Sequence, residues 1–118
     1  MIIPGRNDSA KELKNIADFI SSISNSIPWH ITAFHPDYKL LDCHATTTET
    51  LLKAIKIGKA AGLKYVYTGN ILLNEYETTV CPDCNKDIIK RKFMQTASNK
   101  LNSGKCPDCK TKIEGIWK

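Results

Sequence analysis

TTTETLLKAIKIGKAAGLKYVYTGN, residues 46–70, reads as a helix that passes through a glycine into a strand. Thr46 with Glu49 three places later matches a capping box, which marks a helix start. Leu51, Leu52, Ala54 and Ile55 then fall at the spacing of one helix face, and the spacing predicts a helix to about Ala61. Gly62 suits the left-handed residue that ends a helix, because it has no Cβ to clash there. KYVYT, 64–68, carries the aromatic and β-branched content of a short strand, closed by Gly69 and Asn70.

The same grammar continues upstream. WHITAF, 29–34, alternates and is short, which predicts a strand. Before it, Ser9 with Glu12 forms another capping box, and Leu13, Ile16, Ala17, Ile20 and Ile23 recur along one helical face until Pro28 stops the pattern. MIIPG, 1–5, reads as a strand end entering a Pro-Gly turn. The order strand end, helix, strand, loop, helix, strand predicts parallel strands joined by crossover helices. Two helices and little more than two strands cannot cover both faces of a parallel sheet, so this half is expected to pair with another chain or to be a portion of a larger barrel.

Downstream the character changes. CPDC occurs twice, at 81–84 and at 106–109, with twenty-one residues between the hooks. Cys81, Cys84, Cys106 and Cys109 can present four thiolates to one ion, the donor set of a structural zinc site or of a rubredoxin-like iron site. Two disulfides or redox-active pairs are the alternatives, and no strand–helix context of the thioredoxin kind supports the latter. Short strands are expected at 88–92, 94–98 and 113–117, with Gly104 turning the chain into the second hook. The division expected is residues 1–74 as a βαβ part and 75–118 as a four-cysteine zinc ribbon. With all four ligand positions filled by sulfur, the metal is expected to be structural rather than catalytic.

The whole chain has 118 residues, 42% of them hydrophobic and 25% charged, an ordinary globular balance. The formal charge is +5, but four thiolates and a divalent ion together contribute −2 and take it to +3. A solvated basic surface around Lys86, Lys90, Arg91 and Lys92 is therefore preferred to a nucleic-acid face, the more so because aromatics are not interleaved with it. There is no long apolar run, and MIIPGRND lacks the basic and apolar regions of a leader, so a cytoplasmic protein with no membrane partner is expected.

Four stretches together carry a resemblance: IIPGRNDS at 2–9, IPWHITAFHPDYKL at 27–40, the segment 46–70, and the paired CPDC ribbon ending in GIW at 115–117. The chain resembles the C-terminal part of radical S-adenosylmethionine proteins of the pyruvate formate-lyase activating enzyme-like (AmmeMemoRadiSam-type) family. The resemblance implies an α/β fold, a partial (β/α) TIM-like barrel fragment followed by the ribbon. It implies that residues 4–8, the 35–44 loop and Gly69-Asn70 line the face where barrel active sites lie. By the same resemblance His35 contacts S-adenosylmethionine and Asn7 faces the cofactor. The alternatives are a strand-end role for His35, paired with Asp37, and turn or helix capping for Asn7 and Asp8.

One departure limits what the resemblance implies. The family's Cys-x3-Cys-x2-Cys loop, which holds a [4Fe–4S] cluster, matches no set of the five cysteines here, and the glycine-rich segment that grips the methionine moiety is missing. S-adenosylmethionine chemistry then requires an N-terminal radical SAM half from a split enzyme, or the chain is a truncated product; no catalytic residue is assigned. The alternative is a stand-alone zinc-ribbon interaction module, monomeric or homo-oligomeric. Among the remaining candidates, His30 is read as an interior histidine, Cys43 as a free thiol, and Trp29 and Trp117 as packing residues.

Overall fold

The computed structural model describes residues 1–71, 74–92 and 95–117. The chain divides into two compact units, Met1–Leu73 and Asn74–Lys118. The first holds helix α1 (Ala10–Ile23), strand β1 (Trp29–Thr32), helix α2 (Thr48–Ala60) and strand β2 (Val66–Gly69). The second holds a 3-10 turn at Asn74–Glu77 and strands β3 (Thr79–Val80), β4 (Asp87–Lys92) and β5 (Gln95–Asn99).

Ser9 caps α1 as expected. Its hydroxyl accepts from the Glu12 N–H at 3.2 Å and donates to the Glu12 carboxylate at 2.5 Å. The second helix starts one residue later than the sequence suggested: Thr47, not Thr46, is the cap, accepting from the Thr50 N–H at 3.2 Å. Its C-terminus is closed by Gly62 at φ +89°, with the Gly62 N–H on the Lys59 carbonyl and the Leu63 N–H on the Gly58 carbonyl. Those paired bonds satisfy carbonyls that a helix end otherwise leaves open.

β1 and β2 pair in parallel, Trp29 opposite Val66 through Thr32 opposite Gly69, and Ile2 adds a single parallel rung at Ala33. Helix α2 packs on both strands and α1 packs on α2. Ile2, Leu13, Ala17, Ile31, Leu51, Ala54 and Ile55 form the buried core beneath the helices. At Gly58 the α2 backbone comes so close to the sheet that a Cβ there would lie 2.9 Å from the Trp29 ring and 3.1 Å from Val66. Trp29 is thus a packing residue. The sheet is small and is not closed into a barrel.

Thr46 has a different role from helix capping. Buried at 6% exposure, it receives the Phe34 N–H at 2.7 Å and donates to the Ile2 carbonyl at 2.6 Å, while its own N–H bonds the Phe34 carbonyl at 2.9 Å. The hydroxyl stands in the parallel ladder where the rung from Phe34 to Ile2 would form, and it ties three segments together. A Thr46→Val change keeps the shape but orphans a buried N–H and a buried carbonyl. We expect it to cost about 2 kcal/mol, read as a lowered urea midpoint of the first unit.

Two further expectations are corrected. His30 is exposed, stacked on Tyr67 with ring centroids 5.1 Å apart, because it lies on the sheet face opposite the one that Trp29 and Ile31 turn to the helices. Residues 113–117 form no strand. Ile113 is buried, Lys112 makes one bridge to Lys105, and Trp117 folds back so that its indole N–H donates to the Ile113 carbonyl at 2.8 Å. A Cβ on either Gly104 or Gly115 would overlap that indole, so the tail closes on itself. The strand expected at 94–98 is observed as β5; its first residue, Met94, lies outside the described residues. In the second unit β3, β4 and β5 form an antiparallel sheet with irregular register at Thr79/Val80 and at Lys90/Arg91.

Candidate metal centre

Each hook is a tight knuckle built the same way. In the first, the Cys81 N–H bonds the Lys86 carbonyl at 2.9 Å and the Asn85 N–H bonds the Cys81 carbonyl at 2.9 Å. In the second, the Cys106 N–H bonds the Thr111 carbonyl at 2.9 Å and the Lys110 N–H bonds the Cys106 carbonyl at 3.1 Å. The residue after each hook is left-handed, Asn85 at φ +58° and Lys110 at φ +66°. This turn points both thiols of a hook to one side.

The two knuckles face each other. Cys81 Sγ is 3.5 Å from Cys109 Sγ, and Cys84 Sγ is 3.7 Å from Cys106 Sγ. All four sulfurs lie within 4.8 Å of one another. Sulfurs bound about 2.3 Å from a tetrahedral zinc stand about 3.8 Å apart, so this constellation fits such an ion with small adjustments. Every cysteine is a free thiol, which sets aside the paired-disulfide alternative for this structure. Cys81 and Cys106 are buried, whereas Cys84 is half-buried and Cys109 exposed.

Around the sulfurs, the buried aliphatic side chains among the described residues are Ile88, Ile89 and Ile113. Metal ligation commonly stabilises modules with so small an apolar core, and the four thiols are a set that could hold such an ion. The thiols are not equivalent. Hydrogen bonding with Thr111, first its side chain and then its backbone, holds Cys109 down at about 6. The Lys86 backbone N–H also favours the Cys84 thiolate, but desolvation and hydrogen bonds with the other three thiols outweigh it and push Cys84 up to about 12. At neutral pH, then, metal entry must displace at least the Cys84 proton. We expect the apparent zinc affinity to rise at least about tenfold per pH unit between pH 7 and 8, measured by chelator competition. A flat profile would contradict four-thiolate binding.

Two polar pairs span the hooks. Lys86 Nζ donates to Asp108 Oδ1 at 2.7 Å, and the Thr111 hydroxyl donates to Asp83 Oδ2, with Cys109 Sγ 3.3 Å from the same hydroxyl. The aspartates inside CPDC thus face the opposite hook. The repetition of the tetrapeptide was the one sequence signal that pointed to them.

The first unit holds the other candidates. Asn7 Oδ1 accepts from the Ile3 N–H at 2.6 Å and its Nδ2 donates to the Met1 carbonyl at 3.1 Å, so its amide spans the extended segment on the side away from β1. Asp8 accepts from the Gly5 N–H at 2.9 Å within the same turn. His35 is exposed, with Nδ1 3.3 Å from Asp37. Cys43 accepts from Arg6 Nε at 3.3 Å, and Arg6 also meets Asp42 at 3.3 Å. The Pro4–Asp8 turn and the 35–44 loop follow strand segments and gather at one end of the parallel sheet, and Asn70 Nδ2 reaches the Ala33 carbonyl there at 3.4 Å.

Among curated proteins, the chain is similar to the uncharacterized protein MJ0808 of Methanocaldococcus jannaschii, 37% identical over 117 residues, which cover 97% of this chain and 35% of that protein. The chain spans about a third of the length of the relative it matches. No family model matches. No solved structure matches either. No described helix is long and apolar enough to cross a membrane.

Proposed function

We propose that this chain is the C-terminal part of a radical S-adenosylmethionine protein of the activating-enzyme-like type, ended by a structural zinc ribbon. The single observation that carries this reading is the parallel arrangement of Ile2, β1 and β2 under α1 and α2, with the 4–8, 35–44 and 69–70 segments at the carboxyl ends of the strands. That is the arrangement of consecutive (β/α) units, and ligand-binding groups of such folds sit at that end. His35, which is exposed, and Asn7 are the cofactor-facing candidates. Asn7 also holds its own turn.

The rest of the first unit supports incompleteness in the same sense. His30 and Tyr67 lie on a sheet face that α1 and α2 do not cover, and parallel sheets are normally covered on both faces. On α1 the apolar residues Ile16, Phe19 and Ile23 are exposed at one-turn spacing, a stripe suited to a neighbouring helix. A [4Fe–4S] cluster and its Cys-x3-Cys-x2-Cys loop come from the remaining portion of the assembly in this reading. The ribbon takes zinc, or iron in the same four-thiolate set, and carries no open ligand position for chemistry.

Co-expression of the tagged chain with a radical SAM polypeptide that bears the cluster loop tests the proposal. The expected result is co-purification and reductive cleavage of S-adenosylmethionine to 5′-deoxyadenosine by the pair, with none by this chain alone. Failure of both co-purification and activity gain would overturn it. The second reading, a zinc-ribbon interaction module without catalysis, is favoured by the closed sulfur set and by the division into two units. It predicts a folded monomer or homodimer indifferent to such a partner. Binding to nucleic acid, with its steep salt dependence, is not expected.

A further inference from the structure

The two hooks are related residue by residue at a constant offset: Cys81 to Cys106, Asp83 to Asp108, Cys84 to Cys109, Lys86 to Thr111. Each aspartate reaches across to the other hook's last residue in this series, Asp83 to Thr111 and Asp108 to Lys86. Neither bond is local, since the pairs are 28 and 22 residues apart in the chain. The crossing is reciprocal, and in one arm Thr111 lies 3.3 Å from Cys109 Sγ. We propose that the two aspartates are metal-positioning residues, a crossed brace that holds the knuckles face to face in ligand register, with the Asp83–Thr111 arm the stronger.

The inference rests on the four-thiolate reading of the centre and not on the radical SAM proposal. Its physical basis is preorganisation. Two hooks on separate turns must otherwise be brought into register by the ion itself, and that ordering weakens binding. The arms differ in reach. Both bonds are exposed, and Lys86–Asp108, with side chains 61% and 43% accessible, is an ion pair of a kind that contributes little. What sets the other arm apart is that Thr111 also touches Cys109, the most exposed of the four cysteines. Groups that orient a ligand in this way typically change metal affinity by about 10- to 100-fold when removed.

The test uses the full chain and two paired sets of variants, Asp83→Ala with Thr111→Val and Asp108→Asn with Lys86→Met. Zinc affinity is read by chelator competition, and cobalt(II) substitution reports the site through its thiolate charge-transfer and d–d bands. For the first pair we expect each single change to weaken zinc binding about 10-fold or more, and the double to be no worse than the weaker single. For the second pair we expect about 5-fold or less. Thr111→Ser, which keeps the hydroxyl, should retain near-unaltered affinity. Cobalt spectra should remain tetrahedral with four thiolates throughout, which separates loosened binding from a lost fold. The brace is overturned if Asp83→Ala and Thr111→Val bind zinc as tightly as the parent chain, if their effects simply multiply, or if Thr111→Ser is as impaired as Thr111→Val.

Discussion

Replacing Cys106 by serine is expected to unfold the second unit while leaving the first intact. Cys106 is fully buried, 3.7 Å from Cys84, and its N–H and carbonyl both close the second knuckle. Structural zinc in small modules supplies an apparent binding free energy of about 10–16 kcal/mol, comparable with or larger than the whole stability of a small domain. Against that, among the described residues of this unit Ile88, Ile89 and Ile113 are the buried aliphatic side chains, a small core for a folded unit. In a two-dimensional amide spectrum, resonances from the second unit should collapse to unfolded positions in Cys106→Ser and in chelator-treated parent chain alike. Resonances from α1, β1, α2 and β2 should stay where they are. Dispersed second-unit resonances without metal would contradict the account.

The second large effect belongs to the first unit. Gly58→Val is expected to destabilise it by about 2–3 kcal/mol, because the added carbons meet the Trp29 ring and Val66 where even a Cβ has no room. For a unit of this size that lowers the melting temperature by on the order of 10 °C or more. Gly58→Ala should cost less, since alanine gains about 1 kcal/mol of helix propensity over glycine, which offsets part of the cost of moving the Trp29 ring and Val66 aside. Thermal unfolding followed by circular dichroism distinguishes them. If valine is tolerated as well as alanine, α2 does not press on the sheet as described.

Local chemistry made much of this fold legible. The Ser9–Glu12 signal found α1, and Gly62 found the end of α2, because both depend on groups within one turn of chain. Thr46 and Thr47 were confused for the opposite reason. Adjacent threonines look alike locally, and only the approach of Ile2 and Phe34 gives Thr46 its buried role. His30 was misread because alternation tells which residues share a sheet face but not whether a second layer covers that face. The 113–117 stretch has the β-branched and aromatic content of a strand, yet Gly115 leaves room for the Trp117 ring to fold back over it.

The four-cysteine cluster was legible from spacing alone, since a Cys-x-x-Cys turn presents both thiols to one side. The braces were not. Asp83 and Asp108 have their partners, Thr111 and Lys86, in the facing hook, 28 and 22 residues away in the chain. In the same way, the free thiol expected at Cys43 is seen, but its guanidinium neighbour Arg6 comes from a turn 37 residues upstream.

X-ray absorption at the metal edge of the purified full chain tests the four-thiolate centre most directly. One metal ion per chain is expected, with four sulfur neighbours at about 2.3 Å and no oxygen or nitrogen shell. Fewer than four sulfurs, an oxygen or nitrogen ligand, or a chain that takes up no metal with all its thiols reduced would contradict it.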